Sequence, residues 1–270
     1  MQARDLIGRT GAAAAATGHF DGLFLAGSFG RGTADEWSDV DLVGLAPPER
    51  HEAIAGWWRG WLEAQEHLIY FKVLPRGGTL INAVLHSWLR VDLHLAPAAQ
   101  FGRRAQDGVR ALHDPGGIHA TLPPSLPPHR PDPKRVEEMI WEFIRILGLT
   151  PVTLGRGEHV VMVTGTGLLR DLLSQLMQEE LPFPDRGGML HLGKLLPRDD
   201  MALLESLPYP GPEREALIEA QLALARVFFP RARQLAGRLG VVWPEEFETV
   251  SRAHLARAIG REPEALWPDR

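Results

Sequence analysis

Two aspartates separated by one residue, Asp39 and Asp41, follow a glycine-rich loop near the start of the chain. In a strand, alternate side chains point to the same face, so the two carboxylates would project side by side while Val40 and Leu42 point into the core. Unpaired carboxylates a few ångströms apart repel each other, and a bound cation relieves that repulsion. The pair therefore predicts a metal site.

A third carboxylate is predicted on a neighbouring strand. The segment LRVDLHLA (89–96) alternates apolar and polar residues, and Asp92 lies on its polar face. Carboxylate oxygens of this kind suit Mg²⁺, which typically combines one or two carboxylates with substrate phosphates and water. We therefore expect Asp39, Asp41 and Asp92 to bind Mg²⁺ together.

The loop before the aspartate pair offers phosphate-binding groups. An apolar run, residues 23–26, stops at Gly27-Ser28, where we expect a turn followed by a short helical segment. The exposed amides of such a turn and the positive end of the helical segment can hold phosphate oxygens. Gly27 and Ser28 are therefore the predicted phosphate-binding residues.

The spacing of these motifs resembles that of a known family. Gly27-Ser28, ten intervening residues and then Asp-Val-Asp-Leu (39–42) resemble the signature of the nucleotidyltransferase superfamily related to DNA polymerase β, and Asp92 matches its third carboxylate. Because a helical region follows, the chain is most similar to the small-molecule group, the aminoglycoside and lincosamide nucleotidyltransferases of antibiotic resistance.

The resemblance implies an enzyme activity. A nucleoside monophosphate, AMP from ATP or the equivalent from another NTP, would be transferred to a hydroxyl of a small acceptor, with release of pyrophosphate. One Mg²⁺ would be shared by Asp39, Asp41 and Asp92, and a second by Asp39 and Asp41. Arg31 and Thr33 would contact the triphosphate, with a surface role as the alternative.

The resemblance also implies a general base in the helical region. Glu138 and Glu142 on one helix, and Glu158 in the turn 154–158, are the candidates. An Arg-Gly-Glu turn before a helix resembles a recurrent feature of this group, so Glu158 is the predicted catalytic base. A solvated surface position is the alternative for each glutamate.

Periodicity predicts an α/β (α+β) N-terminal domain with a small mixed sheet, followed by an all-helical domain. We expect the nucleotidyltransferase domain at residues 1–114, a linker with seven prolines at 115–133, and the acceptor-binding helical domain at 134–270. The predicted strands are 22–26, 39–45, 68–74, 79–86 and 89–96, and the main predicted helices are 3–17, 134–149, 157–180, 200–206, 213–240 and 243–260.

The composition excludes several classes of protein and of binding site. The 270 residues are 44% hydrophobic and 23% charged, as in ordinary globular proteins. The formal net charge of −5 and the lack of Lys/Arg runs make nucleic acid an unlikely partner. Without cysteine there is no thiolate site, and without a long apolar span no membrane segment is expected. A cytoplasmic protein is the expectation.

Other interpretations remain open at this point. The acceptor could be a protein, as with antitoxin-like adenylyltransferases, or the chain could be a non-catalytic nucleotide-binding protein; RNA tailing is disfavoured by the charge. Structurally, Asp92 could instead pair with Arg90 or Arg31 in a salt bridge.

Overall fold

The computed structural model describes residues 2–183 and 189–268. The chain divides after Pro127 into two compact units, Met1–Pro127 and Pro128–Arg270. The first unit combines a sheet with helices, and the described part of the second contains helices without strands. This is the fold class expected from the sequence.

The N-terminal unit begins with a helix and contains one mixed sheet. Its elements are α1 (Ala3–Thr17), β1 (Gly22–Leu25), α2 (Gly27–Gly30), β2 (Val40–Leu45), α3 (His51–Gln65), β3 (Leu68–Pro75), β4 (Thr79–Leu85), β5 (Arg90–Ala96), β6 (Arg110–His113) and α4 (Ile118–Thr121). The strand order is β3-β4-β5-β2-β1-β6. Only β2 and β5 pair in parallel among these neighbours; the other pairs are antiparallel.

The sheet buries a different set of side chains on each face. On one face α1 and α3 cover the strands, and Trp58 of α3 is fully buried there. On the other face Phe24 and Val43 pack with Phe101 and Leu122. Strand alternation puts Asp41 on the same face as Val43, because the two residues are two positions apart in β2.

The predicted strands are all present, but β6 was not predicted. Its sequence, RALH, is short and half exposed, so it lacks the apolar alternation by which strands are recognised. The predicted linker 115–133 lies on both sides of the division between the units. Its first part forms α4 and buries Leu122 in the N-terminal unit, whereas Pro133 starts the first long helix of the second unit.

The C-terminal unit is a set of packed helices. They are α5 (Pro133–Gly148), α6 (Thr150–Arg156), α7 (His159–Glu179), α8 (Leu192–Leu195), α9 (Arg198–Ser206), α10 (Arg214–Leu239) and α11 (Glu245–Ile259). Phe143 of α5 stacks on Phe228 of α10 with ring centroids 3.7 Å apart. None of the described helices is both long and apolar enough to cross a membrane.

Pro230 lies inside α10 without dividing it into two helices. The sequence predicts a kink or a break there, because proline removes a backbone hydrogen bond at a cost of about 3 kcal/mol. Phe228, Phe229 and Ala232 around it are fully buried, and the apolar surface that they remove from water offsets that cost.

Candidate active site

Asp39, Asp41 and Asp92 lie together at one end of the sheet. The parallel pairing of β2 and β5 places Asp41 directly opposite Asp92, and Asp39 immediately precedes β2. One oxygen atom from each of the three carboxylates lies within 4.8 Å of the others. The structure thus brings together the three side chains that were predicted as neighbours.

Burial within the cluster raises the affinity of Asp41 and Asp92 for protons. Burial, reinforced by the negative charges of Asp39 and Asp92, raises the pKa of Asp41 to about 6, although Arg31 and Arg90 act in the opposite direction. Burial also raises the pKa of Asp92, against the effect of a hydrogen bond from a neighbouring side chain. The cluster therefore holds negative charge that the protein itself only partly neutralises.

Two further side chains contact the cluster: one was not identified from the sequence, and the other pairs with a different aspartate from the one considered. Asn82, opposite Asp92 in β4, donates from Nδ2 to Asp92 Oδ1 at 2.7 Å. Arg90, which the sequence offered as a partner for Asp92, lies instead with Nη2 3.2 Å from Asp39 Oδ2. A turn between β4 and β5 centred on Ser87 would have predicted that Asn82 lies opposite Asp92, because both residues are equally far from Ser87 along the chain.

Gly27 and Ser28 lie beside this cluster. Gly27 has a φ of +58°, and a Cβ there would lie 1.8 Å from Asp41 Oδ2, so only glycine lets the loop approach the carboxylate this closely. Ser28 is buried, and its hydroxyl has no hydrogen-bond partner among the described residues. A buried hydroxyl without a partner is costly, so this one is suited to a ligand such as a phosphate oxygen.

The rest of the loop folds back on α2. The backbone N–H of Thr33 donates to Ser28 O at 2.9 Å, and Arg31 N–H donates to Gly27 O at 3.1 Å. The Thr33 side chain is exposed, whereas Arg31 is half-buried and its charge lowers the pKa of Asp41. Their predicted contacts with a triphosphate remain predictions.

The chemistry of this end of the sheet fits a divalent cation. The cluster offers three hard oxygen donors close together, Gly27 brings the backbone against Asp41, and the Ser28 hydroxyl has no hydrogen-bond partner among the described residues. These residues could hold Mg²⁺ and the phosphates that accompany it.

The three candidate bases lie in the C-terminal unit. Glu158 is exposed between Gly157, whose φ of +68° ends α6, and the start of α7. Glu142 accepts two hydrogen bonds from Arg145, at 2.7 and 2.6 Å, and these bonds lower its pKa and make it a poorer base. Glu138 lies 3.8 Å from Lys134 Nζ. Glu158 remains the predicted base.

Comparison with known proteins identifies part of the chain. Residues 21–82 match the family of nucleotidyltransferase domains, a range that contains Gly27, Ser28, Asp39 and Asp41 but not Asp92. Among curated proteins, none matches the sequence significantly. A solved aminoglycoside 6-adenyltransferase from Bacillus subtilis is similar over 92% of this chain and 95% of its own, with 12% identity and a TM-score of 0.42. The family match confirms, over residues 21–82, the nucleotidyltransferase relationship that the motifs predicted.

Proposed function

We propose that the chain transfers a nucleoside monophosphate, AMP from ATP, to a hydroxyl of a small molecule such as an aminoglycoside-like antibiotic, in a reaction that requires Mg²⁺. The observation that carries the proposal is the parallel register of β2 and β5. It places Asp41 opposite Asp92, while Gly27 lies against Asp41 and is followed by Ser28.

Each residue of the cluster has a role in this reaction. Asp39, Asp41 and Asp92 hold Mg²⁺, which when bound stabilises the negative charge on the phosphate oxygens. Asn82 donates to one oxygen of Asp92, which would leave the other available to hold the ion. Arg90 offsets part of the charge of Asp39.

The loop serves the leaving group. Ser28 Oγ and the amides at the start of α2 donate hydrogen bonds to the departing pyrophosphate, and Arg31 and Thr33 contact the triphosphate. The acceptor oxygen forms a bond to the α-phosphorus, and the bond between that phosphorus and the pyrophosphate oxygen breaks. Glu158 takes the proton of the acceptor hydroxyl. Catalysis is then mainly positioning and electrostatic stabilisation, as in other phosphoryl transfer.

The acceptor class rests on the resemblance of the motifs and of the α/β-then-helical order to small-molecule nucleotidyltransferases. The net charge of −5 favours a neutral or cationic acceptor over a nucleic acid.

Incubation with labelled ATP, Mg²⁺ and a panel of aminoglycosides and lincosamides tests the proposal. We expect pyrophosphate and a nucleotidylated acceptor in equal amounts, and neither product when EDTA is present. Mg²⁺-dependent ATP binding without turnover on any acceptor would contradict the transfer reaction and indicate the non-catalytic nucleotide-binding alternative.

A second candidate is transfer to a protein, and one observation favours it. On α7, which begins directly after Glu158, Val160 and Leu168 expose 75% and 50% of their surface. Exposed apolar side chains grouped on one helix are typical of protein-binding surfaces. Label found on a co-purified protein, with none on the small molecules, would identify this function instead.

A further inference from the structure

A cavity of about 320 Å³ in the N-terminal unit is lined by residues other than the clustered carboxylates. Its lining comes from several elements of the unit: Arg4 and Gly8 of α1, Phe29 of α2, Gly32 and Ala34 of the following loop, and Arg110 at the start of β6. None of the three clustered aspartates contributes to its wall. The cavity lies entirely within the N-terminal unit.

The charges of this cavity are of one sign. Arg4 and Arg110 are both exposed, and no carboxylate is part of the lining. Within the described residues, neither guanidinium lies within 4.0 Å of a carboxylate oxygen, whereas Arg50, Arg59 and Arg90 of the same unit each have an acidic partner. Two uncompensated guanidinium groups in one concave surface attract an anion.

The shape of the cavity restricts the kind of anion. A Cβ added at Gly8 or Gly32 would meet nothing within 4 Å, so both positions border open space. A volume of about 320 Å³ is at the lower end of the range for small-molecule sites. Guanidinium groups bind phosphate oxygens in pairs of parallel hydrogen bonds. We infer that this cavity binds a small phosphate-bearing molecule, at a site separate from the metal cluster.

The cavity shares a loop with the candidate active site. Gly32 and Ala34 flank Thr33, whose N–H donates to Ser28 O at 2.9 Å. A ligand in the cavity therefore contacts the loop that carries the predicted phosphate-binding residues. Because no carboxylate lines the cavity, binding there needs no divalent cation, and the inference is independent of the proposed transfer reaction.

Calorimetric titration with pyrophosphate in EDTA tests the inference. We expect the wild-type protein to bind pyrophosphate without metal, and the double variant Arg4→Gln/Arg110→Gln to bind it at least about tenfold more weakly, because two charged hydrogen-bond donors are lost. Arg76→Gln/Arg103→Gln makes the same change in net charge at exposed residues outside the cavity and should bind as the wild type does. Single variants at Arg4 and Arg110 replace the double variant if it fails to fold.

Equal affinity in the two double variants would overturn the inference. So would metal-free binding that is lost in Ser28→Ala and retained in Arg4→Gln/Arg110→Gln, since the anion would then occupy the loop beside the aspartates. A parallel titration with ATP in EDTA distinguishes the source of the phosphate. If ATP binds more tightly than pyrophosphate and the two arginines are needed for its binding, the ligand is a nucleotide. If pyrophosphate binds more tightly, the ligand is an inorganic phosphate.

Discussion

The two units surround their acidic side chains with different neighbours. In the C-terminal unit, Glu248 is buried and accepts hydrogen bonds from Trp243 Nε1 at 2.6 Å and Trp267 Nε1 at 2.9 Å, and it also pairs with Arg233. Glu179, which is fully buried, accepts from Asp132 N at 2.9 Å. These carboxylates have the donors that a buried charge needs.

In the N-terminal unit the three half-buried aspartates lie against one another, although Arg90 pairs with Asp39 and Asn82 donates to Asp92. Asp41 lies against Gly27 between two other carboxylates, and its pKa rises to about 6. A protein that needed these residues only for stability would gain nothing from this arrangement. The difference fits the proposed role of the three aspartates as ligands of a cation, whereas Glu248 and Glu179 have hydrogen-bond donors within the protein.

Asp39→Asn is the strongest test of this contrast. We expect kcat for nucleotidyl transfer to fall by at least about a thousandfold, because a metal ligand worth several kcal/mol is lost. Thermal unfolding of the metal-free protein should change little. Pyrophosphate release and differential scanning calorimetry measure the two effects. Full activity in this variant would contradict the metal mechanism.

Glu248→Gln should have the opposite profile. The substitution removes the buried carboxylate that pairs with Arg233, so we expect the free energy of unfolding to fall by about 3 kcal/mol. Activity per folded molecule should be retained. Glu246→Gln, at an exposed position of the same helix, is the matched control and should change stability by less than about 0.5 kcal/mol. If urea unfolding gives the same free energy of unfolding for both variants, the contacts of Glu248 with Arg233, Trp243 and Trp267 do not stabilise the fold.

The pH dependence of metal-free stability reports on Asp41. Its folded pKa of about 6 exceeds the ordinary value of 3.8, so the folded protein binds this proton more tightly than the unfolded chain. That contribution is complete below pH 3.8 and is lost as the pH rises through 6. After allowance for solvent screening, we expect a loss of about 1–2 kcal/mol.

Asp41→Asn removes the titrating carboxyl group and therefore also the loss of stability between acidic and neutral pH. In EDTA the variant should therefore be more stable than the wild type at pH 7.5, but not at pH 3.5, where the wild-type carboxyl is protonated. Urea unfolding at several pH values gives the comparison. A difference between variant and wild type that is the same at every pH would show that Asp41 does not have the raised pKa.

Asn82→Ala should have the smallest effect. The variant loses the hydrogen bond that orients Asp92, so we expect Mg²⁺ affinity to fall by about fivefold, equivalent to about 1 kcal/mol. Calorimetric titration with Mg²⁺ measures this without any need for turnover. An unchanged affinity would remove Asn82 from the set of residues that position the cluster.

Local features of the site could be predicted because they depend on short stretches of chain. Asp39 and Asp41 share a face through strand alternation, and Gly27-Ser28 precede them in the same loop. Asn82 was missed, and Arg90 was considered as a partner of Asp92 and not of Asp39, because the partner of a side chain depends on strand register, which a hydrophobic pattern constrains only weakly. For the same reason β6 was missed, since its pairing with β1 and not its own sequence makes it a strand.

Residue types and their spacing along the chain determined the α/β-then-helical order, the apolar faces of the strands and the acidic chemistry near residue 40. Tertiary structure decided that β5 lies in parallel beside β2, that Arg90 pairs with Asp39 and that α10 continues through Pro230. Covalent spacing sets which side chains share a face of their own element. Only packing between elements sets which faces and charges meet, because that choice depends on burial and pairing summed over the whole unit.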